Sequence, residues 1–161
     1  MNINPYEPPK SQILDIAAKD APPLWNPSAA ASWSLFFSPA FGAYLHMKNW
    51  QALGNAEKAS NSKLWLYVYA AFILLMALNA IWSVSSQTFD GISRIAGFAL
   101  LISWYYTSGN AQITYVKKEF GNTYPRKSWV VPILVGLGAW IAMIVVIGAI
   151  AFVTSSGSHT I

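Results

Sequence analysis

Residues 129–153 contain no charged side chain, and this run limits the fold more than any other feature. As one helix it would reach about 37 Å, more than the roughly 30 Å hydrocarbon core of a bilayer, so it is expected to tilt or protrude. The rest of the chain agrees. Only 10% of the 161 residues are charged, where a soluble domain carries about 25%. Eight each of Trp, Tyr and Phe exclude a disordered chain. The absence of Cys excludes disulfides, thiolate nucleophiles and Cys-ligated metals.

The expected fold is an all-α, polytopic membrane protein with four hydrophobic segments, 29–47, 64–84, 92–110 and 129–153. A Pro-rich extramembrane tail at 1–28 precedes this 29–153 transmembrane bundle, and a short polar tail at 154–161 follows it. Six of the nine prolines lie in the first tail, which holds the backbone extended. It lacks the basic start and apolar core of a secretory signal. One island, 11–19, has Ile13, Leu14 and Ala17 on a common helical face and is a candidate docking element. Asn26 followed by Pro27 reads as a helix cap and first turn. Pro39, in the middle of the first segment, deprives Leu35 of its hydrogen bond. That segment therefore crosses as a kinked helix or folds back as a re-entrant hairpin. The kinked crossing is the expected form.

Seven of the ten basic residues fall in loops 48–63 and 111–128, which two spans separate and which therefore share one face. The positive-inside bias assigns both loops to the cytoplasm and the C-terminus to the outside. Trp50, Trp65, Tyr124 and Trp129 are expected to anchor at the cytoplasmic interface and Trp82 near the outer one, with Trp33, Trp104 and Trp140 between helices. Gly54 and Gly121 are expected to end helices in left-handed turns. Asn55 then caps the helix that runs on into the second segment.

Chemistry is sparse. His46 and His159 lie in separate regions and fit no zinc pattern, so His46 reads as an interfacial residue. No phosphate loop, dinucleotide fingerprint or nucleophile elbow is present, and the six carboxylates are scattered. No catalytic residue, cofactor, metal or nucleic-acid partner is expected. Asn79, Asp90 and Arg94 form a candidate structural cluster: Asp90 caps the third segment and pairs with Arg94 one turn on, while Asn79 reaches Arg94 across helices. Ser93 with Gly97, and Gly138 with Ala142, have the small-x-x-x-small spacing of helix packing, and Gly136 belongs to the same set.

The opening Asn4-Pro5-Tyr6-Glu7-Pro8-Pro9 resembles the start of assorted small bacterial inner-membrane proteins. The stretches Ser38–Tyr44 and Asn49–Gly54 resemble a hairpin found in such proteins. The resemblance covers under a fifth of the chain and implies an inner-membrane location, with no catalytic residues to carry over. The expected role is non-enzymatic: binding another membrane protein, or a second copy, within the lipid bilayer, as an accessory subunit or an immunity protein against a membrane-targeting toxin. The alternative is a small oligomeric channel or transporter for an uncharged solute.

Overall fold

A computed structural model of the chain describes residues 21–81 and 87–157. The 11–19 island, the opening motif, Trp82 and His159 lie outside these residues. The described residues are all-α apart from one isolated β-bridge between Leu24 and Arg126. The order is α1 (Pro27–Trp33), α2 (Pro39–Ala52), α3 (Ala56–Ile81), α4 (Gln87–Trp104), a π-helical turn (Tyr105–Gly109), α5 (Asn110–Phe120) and α6 (Val130–Gly157). Two of these helices, α3 and α6, are long and apolar enough to cross a membrane.

Caps explain most boundaries. Asn26 accepts from the Ser28 and Ala29 amides, and Pro27 begins α1. Gly54 and Gly121 adopt φ of +71° and +63°, backbone that glycine enters without a Cβ penalty. The Asn55 side chain accepts from Lys58 N–H, so α3 starts eight residues before the apolar segment that it carries. The chain from Gln87 to Phe120 is helical throughout, with the π-helical turn inserted part-way. Asp90 sits in the first turn of α4 instead of capping it, because the helix begins at Gln87.

The first segment differs from the expected kinked crossing. Ser38 accepts from Phe41 N–H and Pro39 occupies the first turn, so the proline starts α2 and does not kink a longer helix. Residues 34–38 turn the chain, and α2 runs back along α1. Pro27 lies level with His46, Trp25 with Asn49, and Ser34 with Gly42. The result is a helical hairpin that reaches about 15 Å from Asn49 to its tip at Pro39. Across the tip Trp33 stacks on Phe37 with ring centroids 5.5 Å apart, and Phe37 meets Phe41 tilted by 48° at 4.9 Å. Leu35 and Phe36 project from it, 67% and 72% exposed.

Residues 21–28, assigned to the tail by composition, are packed. Leu24 is fully buried with Ala21, Val116 and Tyr124. Its amide donates to Pro125 O at 3.0 Å and its carbonyl accepts from Lys127 N–H at 2.9 Å. Both ends of the hairpin therefore lie on the side of loops 48–63 and 111–128. Trp50 and Tyr124 are buried in protein contacts, which departs from the expected interfacial anchoring. Trp104 is buried between helices as expected, whereas Trp140 is 49% exposed.

Helices α3 and α4 run antiparallel. Ser62 Oγ lies 3.4 Å from Ser108 Oγ at one end, and Phe72 packs against Gly97 further along. Helix α6 meets the hairpin tip where Gly136 abuts the Phe37 ring. A Cβ at Gly136 would come within 2.9 Å of that ring.

Candidate functional site

The polar interior of the molecule lies where the hairpin base meets α5. Asn49 on α2 and Gln112 on α5 are both fully buried, and a buried amide must find partners for each donor and acceptor. Asn49 Nδ2 donates to Trp25 O at 2.8 Å and to Gln112 Oε1 at 3.2 Å, while its Oδ1 accepts from Trp25 N–H at 3.0 Å. Gln112 Nε2 donates to His46 O at 2.9 Å. Asn49 thus pairs with both backbone groups of Trp25 as a neighbouring β-strand would. Trp25 is held on its other side by Ser128, whose carbonyl accepts from the indole N–H at 2.9 Å, and by Lys127, whose ammonium lies 4.4 Å from its ring.

His46 belongs to this interior and is not interfacial. It is fully buried, and Nε2 lies 3.2 Å from Pro27 O. A carbonyl only accepts, so Nε2 carries the proton and Nδ1 presents a lone pair. Among the described residues His46 Nδ1, Trp104 Nε1 and Tyr69 OH are buried without a hydrogen-bond partner. Trp104 and Tyr69 share a core cluster with Ala43, and the Trp104 and His46 rings meet edge to face at 5.5 Å.

Burial lowers the His46 pKa from 6.5 to about 4, and the Pro27 contact only partly offsets this. No charged side chain contributes to the shift. The unfolded chain then binds a proton that the folded chain refuses, so stability is complete above about pH 6.5 and falls as pH drops toward 4. The full effect corresponds to about 3 kcal/mol. Melting in detergent is expected to weaken progressively from pH 7 to pH 4.5, and His46→Gln is expected to flatten that dependence. An equal slope in the variant would assign the effect to the carboxylates instead.

The π-helical turn shapes the other face of this interior. Thr107 Oγ1 donates one turn back to Ser103 O at 2.6 Å, as hydroxyls in helices commonly do. Ser108, turned inward, meets Ser62 across the helix pair. A cavity of about 220 Å³ opens there, with Lys58 and Glu57 at its rim, and Lys58 lies 4.7 Å from the Trp50 ring.

The residues singled out from sequence lie on α2, α3, α4 and α6. Asp90 and Arg94 are both exposed, and no ion pair joins them among the described residues. Arg94 borders a cavity of about 260 Å³ against the hairpin tip. Asn79 lies two residues from the end of α3. Ser93 Oγ donates to Phe89 O at 2.7 Å. Gly97 and Gly136 are close-packing positions, whereas Gly138 has open space beside it and Ala142 is exposed. Among the described residues no group of three His, Asp or Glu side chains is placed to hold a metal. No family model matches the chain, and searches of curated proteins and solved structures find no match.

Proposed function

We propose that the chain is a non-enzymatic bacterial inner-membrane protein that binds another membrane protein through its helices, as an accessory subunit or an immunity protein. The observation that carries this reading is α6. It is apolar around its whole circumference and almost entirely uncovered by the fold, with Val135, Ile141 and Val145 each above 60% exposed. A helix of that kind is stable only in lipid or against a partner. Its Gly138 and Ala142 leave a flat strip on which a second backbone can approach closely. The resemblance of the opening motif to small inner-membrane proteins agrees with this location.

In this reading α3, α4 and α6 cross the bilayer and the hairpin is re-entrant. If α3 crosses, its antiparallel partner α4 must return through the same depth. The exposed Leu35 and Phe36 at the hairpin tip suit lipid, and the basic loops face the cytoplasm together with the amino tail. Single cysteines in the Cys-free chain test this. Ser11→Cys, Asn61→Cys and Asn122→Cys are expected to resist an impermeant thiol reagent in intact cells, while Ser156→Cys labels. Labelling at Ser11 as well as at Ser156 would restore the kinked crossing, and labelling at Asn61 would invert the topology. For the partner, Ala142→Cys in native membranes is expected to give one discrete thiol cross-link that Gly138→Leu abolishes. A diffuse ladder unaffected by Gly138→Leu would argue against a helix partner.

A further inference from the structure

Two hollows beside α1 have complementary chemistry and a common wall. The larger, about 470 Å³, lies between α1 and the stretch around the π-helical turn, and Ala31, Leu35, Leu101, Ile102 and Tyr106 make it mainly apolar. The smaller, about 90 Å³, lies between the start of α1 and the end of α5, and Lys117, Arg126 and Asn122 line it. Ser28 and Ile113 border both. No carboxylate lines either hollow among the described residues. Arg126 donates to Asn122 O at 3.2 Å and stands 5.6 Å from the Tyr124 ring, which holds the guanidinium at the mouth. Lys117 is exposed, and the ion pair within 4.0 Å involves its neighbours Lys118 and Glu119.

We infer that these adjoining hollows bind one anionic phospholipid, with its phosphate against Lys117 and Arg126 and an acyl chain in the apolar groove toward Leu101. Charge and shape argue together. Two cations in a hollow that no described carboxylate lines suit a phosphate ester, and long basic side chains reach toward the headgroup layer. A soluble anion would leave the adjoining apolar groove unused, whereas an amphiphile fills both. The helix axis from Lys117 to Leu101 covers about 24 Å, near the length of one lipid from headgroup to chain end. The inference rests on the membrane reading above, because only there does the groove open onto acyl chains.

The test measures lipid binding to the purified full chain in uncharged detergent by native mass spectrometry. Phosphatidylglycerol is expected to bind roughly thirtyfold tighter than phosphatidylcholine with the same chains, the factor two such charges supply. The Lys117→Gln/Arg126→Gln double variant is expected to lose that preference, while Lys48→Gln/Lys63→Gln keeps it. Ile102→Trp, which fills the groove and leaves the charges in place, is expected to weaken both lipids. Equal loss in the two charge variants, or displacement of phosphatidylglycerol by millimolar inorganic phosphate, would overturn the site. Alkaline carbonate extraction of membranes separates this from the reading beneath it. A chain that stays in the pellet without lipid preference sinks only the lipid site, and one that is released sinks the membrane assignment.

Discussion

Asn49→Leu is expected to cost about 3–5 kcal/mol, enough to detach the amino-terminal segment from the body of the protein. Leucine has the same branched heavy-atom skeleton as asparagine, so the site stays filled while its polar function is lost. Three groups lose their Asn49 partner at once: Trp25 N–H, Trp25 C=O and Gln112 Oε1. Each unsatisfied buried group costs about 1–3 kcal/mol, and water reaching the part-buried Trp25 recovers some of this. A whole domain is stable by only about 5–15 kcal/mol, so the loss is a large fraction. Gln112→Leu is expected to be severe too, because it removes the side-chain donor to His46 O and the acceptor of Asn49 Nδ2. The double variant is expected to lose less than the two single losses combined, since the Asn49–Gln112 bond is counted in both. Melting in detergent checks this, with Ser62→Ala as a mild comparison that removes one exchangeable hydroxyl contact. Additive losses would mean that the two amides act separately and would overturn the Asn49–Gln112 bond.

Local rules carried the helix boundaries, and long-range docking carried what they missed. Asn26-Pro27, Gly54-Asn55 and Gly121 declare their roles through side-chain acceptors and left-handed backbone, which depend only on neighbours. The same cap logic applies to Ser38-Pro39. There the surrounding apolar run suggested one interrupted helix, while a proline preceded by serine is equally a helix start. The outcome depends on whether α1 has somewhere to pack, and beyond α2 that surface comes from the π-helical turn and α5, more than seventy residues on. His46 and Asn49 stand three residues apart on one face of α2, and the sequence reads His46 as an interfacial residue. Their burial requires Gln112, 63 residues beyond Asn49, and no periodicity links the two. The two long apolar helices were legible because length and the absence of charge are additive along the chain.

Gly42→Ala is expected to destabilise the protein by about 2–3 kcal/mol, although alanine is the better helix former by about 1 kcal/mol. Gly42 lies inside α2 with ordinary helical backbone, so the glycine is required by space and not by conformation. A Cβ there would overlap Ser34 Oγ and come within 2.7 Å of the Trp104 ring. Neither neighbour can retreat cheaply. Ser34 is buried and its hydroxyl donates to Ala30 O at 2.9 Å, and Trp104 is fully buried against Ala43 and Tyr69. The strain therefore separates the hairpin arms or lifts the hairpin off α4. Ser34→Ala removes the nearer obstacle, so the Gly42→Ala/Ser34→Ala pair is expected to recover part of the loss while the Trp104 contact keeps the rest. Trp104→Phe, which shortens the other obstacle, is expected to recover a different part at the cost of a cavity. Thermal melting of the three backgrounds measures the coupling directly. Gly42→Ala with unchanged melting would mean that α1 does not lie against α2 at Ser34, and the hairpin would have to be replaced by the single crossing helix.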